Sequence, residues 1–474
     1  MKTLNVLGID IGASHGRGYC GAFDGDTLTL REIHRFPNQP VAIHASIYWE
    51  ILSLFNEVKN CVLKTKAESI PISALGIDTW SQDFGILDNQ GNLLGNPHTY
   101  RDSRTEQIFA EIGNRLTTRE VFARTGMHAY PFGTLFQLIS MKSREKVILD
   151  KADKLLFIPN LLSYFCSGGL NCDSTLASVS LLYSPLTHTW LDDFLSRFEL
   201  PLILPDIRTG CGVIGNVTGS FQQETGCGML PVISVIQHDT ASTAFTVPVE
   251  SMEEIIFISS GTWSVLGTMI GQPILSEAVY HSSFNNELAY DNQTMLLQNI
   301  TGLWILQECA REWSQEGYSM DYPRMEEIAM RSSFSSSIDP DHPEFARPGN
   351  MTAKINSHCQ ETGQPAPQNK EETYQCIVNG LACKYAQSVN ELKRLLNKEF
   401  QRIYITGGGA RNGYLCSQTA RLTGMDVVAA TSRATVVGNI LSQLMVLGEI
   451  RNRSEAVEVI QRSFPISIYS HERN

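Results

Sequence analysis

The chain has 474 residues, of which 42% are hydrophobic and 18% charged, and its formal net charge is −12. This length allows two domains, each long enough to bury its own core. The acidic balance argues against a nucleic acid or an anionic membrane as the main partner. It leaves room for a small anionic ligand, because backbone amides and a bound cation can hold phosphate without a basic patch.

The 11 cysteines are scattered and odd in number, and none forms a Cys-x-x-Cys pair. This usage predicts reduced, mostly buried thiols, with neither a disulfide framework nor a zinc site. Met1-Lys2-Thr3 leads into a short strand rather than into the core of a signal peptide, and no apolar run reaches the length of a membrane span. These features predict a cytoplasmic protein without a membrane partner.

The first quarter of the chain has the pattern of an α/β domain. Asp24–Asp26, with a central glycine, is typical of a hairpin turn between two strands. Apolar residues at helical spacing follow the strands and precede a further strand. The predicted elements are strands at Asn5–Ile11, Gly18–Phe23 and Thr27–Phe36, a helix at Tyr48–Lys64 and a strand at Ala74–Thr79. Strands, a helix and another strand indicate a mixed α/β layer structure.

The same order restarts near residue 254. The predicted elements are strands at Ile255–Ser259 and Ser264–Ile270, helices at Trp304–Trp313 and Glu372–Asn397, and a strand at Arg402–Thr406. Ser332–Gln368, rich in Ser, Pro and Asp, is predicted to be an irregular surface insertion between helices. A boundary between Thr246 and Glu254 gives an N-terminal domain, 1–247, and a C-terminal domain, 248–474.

Each half opens on a strand that ends in a turn of small and hydroxylated residues, within Leu7–Ser14 and again within Phe257–Ser264. Such turns let backbone N–H groups approach an anion closely. Two of them predict two similar domains that hold one polyphosphate. Asp10, at the end of the first strand, suits a Mg²⁺ ion held partly through water. For the first segment the alternative is an ordinary strand-turn, since any such turn can carry Asp-x-Gly, and for the second it is a hairpin turn.

Two further segments carry candidate chemistry. Gln237–Ser242 follows the predicted strand Pro231–Ile236, at a position where α/β proteins place their sites. Asp239 could accept a proton from a substrate hydroxyl, and His238 could bind substrate or cap the next helix. Gly407–Gly409 joins a strand to a helix, and three consecutive glycines indicate the close approach of a partner such as an adenine or its ribose.

Two other kinds of kinase are excluded. Asp83-Phe84-Gly85 matches the metal-binding triplet of protein kinases, and Val41–His44 nearly matches their lysine strand, but the lysine is missing. No His-Arg-Asp loop occurs, and no Gly-Lys-Ser/Thr of a P-loop is present.

In chain order these segments resemble the FGGY carbohydrate kinases of the actin-like ATPase superfamily, and within that family the kinases of L-rhamnulose. The resemblance covers nearly the whole chain. The strings that carry it are Gly12–Arg17, Leu28–Phe36, Gly76–Trp80, Tyr100–Arg104, His238–Ser242, Ser259–Ser264, Asn299–Trp304 and Gly407–Gly409.

The resemblance implies two ribonuclease-H-like α/β domains with the active site in a cleft between them, and ATP and Mg²⁺ as cofactors. It implies phosphorylation of a ketose, L-rhamnulose, at O1, by a monomer or homodimer whose small-molecule partners are the sugar and ATP. Asp239 would be the proton acceptor and Asp10 would support Mg²⁺. The residues expected at the ATP are Ala13, Ser14, His15, Gly16, Arg17, Thr262, Gln307 and Gly408, and those expected at the sugar are Ser81, His238, Asp239, Thr240 and Asn299.

Three departures from the rhamnulose-kinase pattern concern the sugar side. Ser81 replaces an expected glycine, Gln82 an expected valine, and Phe284–Glu287 only partly matches an expected Asn-Glu-Gly-Gly segment. Two alternatives therefore stay open. One is an FGGY kinase for another ketose or polyol, such as fuculose, xylulose or a signalling polyol, and the other is a non-catalytic ATP-driven clamp of the actin type.

Overall fold

The computed structural model describes residues 3–472, so the outermost residues of the two predicted domain ranges lie outside it. The chain forms two compact units. The first consists of Met1–Thr246, Ile270–Leu296 and Thr435–Ser463, and the second of Val247–Met269, Leu297–Ala434 and Phe464–Asn474. The first unit thus takes two segments, 270–296 and 435–463, from the range that the sequence division assigned to the C-terminal domain.

The strands are β1 Leu4–Ile11, β2 His15–Phe23, β3 Leu28–Pro37, β4 Val41–Ile43, β5 Ser46–Tyr48, β6 Leu75–Thr79, β7 Phe84–Leu87, β8 Lys154–Phe157, β9 Cys172–Asp173, β10 Tyr183–Ser184, β11 Thr189–Trp190, β12 Ile207–Arg208, β13 Gly212–Asn216, β14 Pro231–Ser234, β15 Ile255–Ser260, β16 Trp263–Ile270, β17 Asn285–Leu288, β18 Thr294–Thr301, β19 Arg402–Thr406, β20 Val427–Ala429 and β21 Ser467–Tyr469.

The α-helices are α1 Ile51–Ala67, α2 Glu106–Glu111, α3 Thr118–Thr125, α4 Thr134–Arg144, α5 Lys146–Leu149, α6 Ile158–Ser167, α7 Ser174–Val179, α8 Asp192–Arg197, α9 Gly219–Thr225, α10 Asp239–Phe245, α11 Glu277–Tyr280, α12 Trp304–Gln315, α13 Tyr322–Arg331, α14 Met351–Glu361, α15 Lys370–Leu396, α16 Gly413–Thr423, α17 Ala434–Val446 and α18 Arg453–Ser463.

The sheet of the first unit runs in the order β13-β14-β6-β1-β2-β3, and β1, β6 and β14 are parallel neighbours. β1 is almost entirely apolar because helices cover both faces of the sheet. Helix α1 packs on one face, where Val58 and Cys61 are fully buried. Helix α17 lies on the other face, with Ile440 against the backbone of β1 and β2. Parallel pairing brings the carboxyl ends of these three strands to one edge of the sheet.

The second unit repeats this arrangement. Its strands run in the order β18-β16-β15-β19-β20-β21, with β15 and β16 forming an antiparallel hairpin and β15, β19 and β20 running parallel. The hairpin β1–β2 beside the parallel strand β6 is the same pattern in the first unit. The prediction that the fold pattern restarts near residue 254 is confirmed, since β15 begins at Ile255.

Two predicted elements were wrong in their extent or nature. The helix predicted from Tyr48 begins at Ile51, because residues 46–48 pair as β5 with β4 and end before the helix starts. The predicted irregular insertion, 332–368, contains the helix α14, whose Met351 and Ile355 are fully buried. A Ser- and Pro-rich composition hid this helix, because only part of the segment has helical spacing of apolar residues.

All 11 cysteines lie among the described residues and are free, and eight of them are buried. Across residues 3–472, no helix combines the length and the apolarity that crossing a bilayer requires.

Candidate active site

Three carboxylates meet where parallel strands of the first unit end. Asp10 of β1 and Asp78 of β6 are direct partners in the strand register. The backbone N–H of Thr79 donates to the carbonyl oxygen of Gln237 at 3.1 Å, which draws the segment after β14 alongside β6. Asp239 is two residues beyond Gln237, as the first residue of α10. Residues far apart in sequence therefore form one acidic cluster.

Burial and mutual repulsion govern this cluster. Burial, and then the Asp239 carboxylate, raise the pKa of Asp10 to about 7, while Arg17 opposes the rise. The pKa of Asp78 lies well above its ordinary range, because the side chain is buried and Asp10 is adjacent. Burial therefore disfavours the ionised form of both carboxyl groups, and Asp10 disfavours it further at Asp78.

Asn439 of α17 completes the environment of Asp78. Its Nδ2 donates to Asp78 Oδ2 at 2.6 Å and to the carbonyl oxygen of Gly76 at 3.2 Å. Gln443, one helical turn further, donates to the Asn439 side chain at 2.8 Å. These hydrogen bonds stabilise the Asp78 carboxyl group, whose ionised form burial alone would disfavour.

The cluster fits a hydrated magnesium ion. Carboxylate oxygens are the ligands that Mg²⁺ prefers, and the ion commonly binds one or two of them and keeps several waters. A divalent ion there would offset the repulsion among the carboxylates that contributes to their raised pKa values. Within residues 3–472, no group of three or more His, Cys, Asp or Glu side chains has the geometry of direct ligation.

Asp78 is fully buried, whereas Asp10 and Asp239 are partly exposed. The Asp239 side chain is 37% exposed. The backbone N–H of Thr240 donates to Asp239 Oδ1 at 2.7 Å, which orients the carboxylate. An oriented and reachable carboxylate at the end of a buried strand can accept a proton from a bound hydroxyl.

His238 is buried beside Asp239 and precedes α10 at the N-cap position. Its side chain makes no capping hydrogen bond, so the helix-capping alternative is wrong. Its Nε2 lies 3.5 Å from Asp239 Oδ1 instead. The imidazole of His238 therefore faces Asp239 and does not cap the helix.

The first predicted phosphate turn is the tip of the β1–β2 hairpin. The N–H of Gly12 donates to the carbonyl oxygen of His15 at 2.9 Å, and Asn38 Nδ2 donates to the Gly12 carbonyl oxygen at 2.9 Å. Ser14 and His15 are exposed, while Ala13 is partly buried. Gly16 and Arg17 belong to β2, and Arg17 stands opposite Asp10. The segment is thus the tip of a hairpin, with Ser14 and His15 exposed to solvent.

The second turn is also a hairpin tip, and it packs against the start of α12. Thr262 Oγ1 donates to Gln307 Oε1 at 3.1 Å, and the Leu303 N–H donates to the Gly261 carbonyl oxygen at 2.7 Å. Gly408 is exposed, with Leu303 as its nearest neighbour in the second unit. The structure therefore brings together the three residues that the sequence assigned to the nucleotide in this half.

Only one of the three consecutive glycines faces open space. Gly407 has a positive φ of 75° and would place a Cβ 2.8 Å from the carbonyl oxygen of Ser260, and a Cβ on Gly409 would overlap the Ser260 side chain. A Cβ on Gly408 would meet its nearest atom, Leu303 Cδ1, at 3.5 Å. Three consecutive glycines predicted the close approach of a partner, and at Gly407 and Gly409 Ser260 approaches closely.

The residues expected at the sugar lie in both units. Ser81 is partly buried after β6, and Asn299 is exposed on β18, in the part of that strand that belongs to the second unit. Gln82 is buried at a positive φ of 78°, and its Nε2 donates to the Tyr130 hydroxyl and the Val179 carbonyl oxygen, both at 2.9 Å. Gln82 therefore joins Tyr130 to the end of α7.

Asp83 has a structural role rather than a metal role. Its Oδ2 accepts hydrogen bonds from the indole N–H groups of Trp49 and Trp80, at 2.7 and 2.9 Å, and from the Tyr100 backbone N–H at 3.1 Å. Gln137 donates to its other oxygen at 3.1 Å. The carboxylate is saturated inside the first unit, which agrees with the rejection of a protein kinase.

Two residues of the site were missed by sequence reasoning. Asp78 carried a signal, because it ends a buried strand as Asp10 does, but it was used only as part of a motif. Asn439 carried none, since it lies 361 positions from Asp78 in the middle of a helix. A polar residue in an apolar helix gives no indication of the strand that it will face.

Comparison with known proteins decides the family. The N-terminal domain model of the FGGY family of carbohydrate kinases matches residues 5–246, and the C-terminal domain model matches residues 256–447. The chain belongs to the FGGY family of carbohydrate kinases. It is therefore an enzyme that phosphorylates a carbohydrate, and the recognition made from sequence strings is confirmed.

The relatives of this FGGY kinase align with nearly all of it. A protein named rhamnulokinase from Bacteroides thetaiotaomicron is 33% identical over 98% of this chain and 95% of its own length. Another of that name from Oceanobacillus iheyensis is 33% identical over 99% of both chains. These alignments run through both domains.

Solved structures show the same fold at lower identity. A gluconate kinase from Lactobacillus acidophilus has a TM-score of 0.80 at 16% identity, covering 99% of this chain and 94% of that one. A Plasmodium falciparum glycerol kinase solved with ADP has a TM-score of 0.75 at 15% identity, covering 98% of this chain and 94% of that one. The predicted two-domain α/β class of the actin-like ATPases is confirmed.

The contrast between neighbouring glycines gives a stability test. Gly409→Ala should lower the stability of the second unit by about 1–3 kcal/mol, because Ser260 is held by the Tyr385 hydroxyl at 2.9 Å and cannot make room for a Cβ. Gly408→Ala should leave stability unchanged, since its Cβ makes ordinary contacts. Urea unfolding of both variants measures the difference, and equal losses in the two would contradict this account of the glycines.

Proposed function

We propose that this carbohydrate kinase transfers the γ-phosphoryl group of ATP to the O1 hydroxyl of a ketose, and that the ketose is L-rhamnulose. The observation that carries the proposal is the oriented, accessible Asp239 carboxylate beside Asp10 and the buried Asp78. The relatives named rhamnulokinase, which align with nearly the whole chain, support the choice of sugar.

In this proposal the first unit supplies the proton acceptor and most sugar contacts. Asp239 takes the proton of the attacking hydroxyl, and His238, Thr240 and Ser81 contact the sugar, with Asn299 from the second unit. Phosphoryl transfer depends mainly on alignment and on neutralising charge, so a single carboxylate suffices for the proton. The Thr240 N–H that holds Asp239 Oδ1 leaves Oδ2 to face the substrate.

The residues that we propose for ATP binding form one group within each unit. The exposed hairpin tip from Ala13 through Ser14 and His15 to Gly16 and Arg17 faces the phosphates. In the second unit, Thr262, Gln307 and Gly408 contact the nucleotide, and they form the exposed cluster described above. The ADP in the glycerol kinase structure supports a nucleotide for this fold. Mg²⁺, held by Asp10 partly through water, would neutralise charge on the triphosphate.

A second candidate is a kinase of the same family for another ketose or polyol. The observation that favours it is the serine at residue 81, backed by the buried Gln82 with its positive φ, where the rhamnulose-kinase pattern has glycine and valine. A side chain in place of glycine at a sugar pocket changes its shape and adds a hydroxyl group. Such a change can move specificity to a sugar that hydrogen-bonds with it.

One assay distinguishes these functions. Purified protein with ATP and Mg²⁺ is given L-rhamnulose, L-fuculose, D-xylulose or glycerol in turn, and ADP release is measured by a coupled reaction. The highest kcat/KM with L-rhamnulose is expected. A higher value with another sugar assigns the second candidate, and ATP turnover that no sugar stimulates indicates the actin-type clamp.

Asp239→Asn tests the proposed proton acceptor. The amide keeps the shape of the side chain and an oxygen that can accept from the Thr240 N–H, but it cannot take a proton. We expect kcat to fall by about 10²–10⁴-fold, with ATP affinity retained. Steady-state kinetics and calorimetric ATP titration measure the two quantities. The surface change Asp192→Asn in the same unit is the matched control, and wild-type turnover in Asp239→Asn would refute the assignment.

Gly12→Ala tests the first phosphate turn. A Cβ at this position meets its nearest atom, the His15 carbonyl oxygen, at 3.5 Å, so the hairpin itself tolerates alanine. The added methyl group lies where a phosphate would approach the backbone, and we expect ATP to bind about tenfold more weakly. Gly219→Ala, with no atom within 4 Å, is the control. Unchanged ATP affinity in Gly12→Ala, measured by calorimetry, would remove this turn from the proposed site.

A further inference from the structure

Two buried polar atoms face each other behind the proposed proton acceptor. His238 Nδ1 lies 3.8 Å from Glu287 Oε2, and neither atom has a hydrogen-bond partner. On the opposite side of the ring, His238 Nε2 lies 3.5 Å from Asp239 Oδ1. The imidazole therefore stands between two carboxyl groups, all within the first unit.

The position of Glu287 is fixed from both sides along β17. The backbone N–H and the Nδ2 of Asn286 donate to the Gly126 carbonyl oxygen at 2.9 and 3.1 Å. The Leu288 N–H donates to Ser178 Oγ at 3.0 Å. With its two neighbours anchored in this way, Glu287 presents its carboxyl group to His238 without freedom to turn toward solvent.

Both side chains are neutral near pH 7. Burial, and then the Asp239 carboxylate, raise the pKa of Glu287 to about 8. Burial lowers the pKa of His238, and Asp239 opposes this only in part. A neutral carboxyl group has one O–H donor, and a neutral imidazole has one N–H donor and one acceptor nitrogen.

The neutral pair can form a hydrogen bond in either direction, but only one direction also suits the Asp239 carboxylate. The Glu287 O–H donates to Nδ1, and the ring proton then resides on Nε2 and is directed at the Asp239 carboxylate. The reverse tautomer would set a lone pair of Nε2 against that carboxylate. Separations of 3.8 and 3.5 Å are longer than hydrogen bonds, as is common before substrate brings a site together.

Other groups do not compete for this proton. Tyr130, which also interacts with Glu287, donates its hydroxyl to the Val179 carbonyl oxygen and accepts from Gln82 Nε2, both at 2.9 Å. Helix α7, packed against β17, consists of Ser, Thr, Leu, Ala and Val and brings no titratable side chain. The titratable groups that interact with Glu287 are Tyr130, His238 and Asp239.

We propose that Glu287 is a positioning residue: its protonated carboxyl group holds His238 in the Nε2–H tautomer, so that the imidazole orients the Asp239 carboxylate. The role in catalysis rests on the proposed kinase function, whereas the tautomer of His238 does not. Glu287 contacts neither the reacting oxygen nor the phosphate and acts only through His238.

Two substitutions of Glu287 distinguish a role as hydrogen-bond donor from a role as a charge or as packing volume. In Glu287→Gln the amide N–H still donates to Nδ1 but never ionises, and Glu287→Leu has similar size and no donor. At pH 7 we expect Glu287→Leu to lose about 10²-fold in kcat with KM for ATP unchanged, and Glu287→Gln to recover most of that loss. An equally inactive pair with wild-type melting temperatures would overturn the proposal.

The pH profile gives a second readout. Because the raised pKa of Glu287 is about 8, its proton is present below that pH and is lost above it. Ionised Glu287 would attract the ring proton of His238 to Nδ1 and leave Nε2 without a proton. Wild-type kcat should therefore fall by about tenfold per pH unit above 8. Glu287→Gln should lack this fall. The same alkaline limb in both proteins would overturn the proposal, even if Glu287→Leu fails to fold.

A spectroscopic measurement decides the case independently of activity. In ¹⁵N-histidine-labelled protein, the His238 resonances, assigned by their loss in His238→Asn, report which ring nitrogen carries the proton. We expect protonated Nε2 in the wild type and in Glu287→Gln, and a mixture of tautomers in Glu287→Leu. Protonated Nδ1 in the wild type refutes the proposal. Lack of sugar-stimulated turnover with protonated Nε2 instead refutes only the proposed function.

Discussion

The parallel pairing of β1 with β6 is the constraint on which the first unit depends. It sets Asp10 beside Asp78 at the end of two buried strands, where burial raises the pKa of both carboxyl groups and Asp10 raises that of Asp78 further. Burying such a carboxyl group is costly, and Asn439 offsets part of the cost by donating a hydrogen bond to Asp78. Folding thus stores an unfavourable negative cluster at one edge of the sheet. A bound cation would complete it.

The second unit uses the same hairpin and parallel strand without the acids. Ser259 and Ser260 stand at the corresponding end of β15. Ser260 packs closely against the backbones of Gly407 and Gly409, and its Oγ accepts a hydrogen bond from the Tyr385 hydroxyl. One fold pattern therefore serves two purposes. In the first unit the strand ends supply charge, and in the second unit they supply close packing that exposes a single glycine and two polar side chains.

The sugar side depends on a layer of hydrogen bonds behind the contact residues. Asp83 ties Trp49, Trp80 and the Tyr100 backbone together, while Gln82 ties Tyr130 to the end of α7. In the proposed function, the choice of sugar depends on how this layer of hydrogen bonds places Ser81, which directly precedes Gln82. The family, by contrast, is established over both domains of the chain.

Local patterns predicted the elements that bear local signals. Strand β19 was predicted with its observed bounds, and the restart of the fold near residue 254 was correct, because apolar runs and small-residue turns are properties of adjacent residues. Helix α14 was missed, because its buried face comprises a few positions in a Ser- and Pro-rich segment. The triple glycine was recognised as a site of close approach, but its partner was unknowable without the position of Ser260.

The sequence by itself determined the family, the α/β class and the candidate roles of Asp10 and Asp239, since these rest on contiguous strings and on strands whose apolar character is visible in order. Only the tertiary structure decided that Asp78 and Asn439 join them and that Glu287 faces His238. The physical reason is that strand register and helix packing bring together residues hundreds of positions apart. Burial then changes their protonation, which no local pattern records.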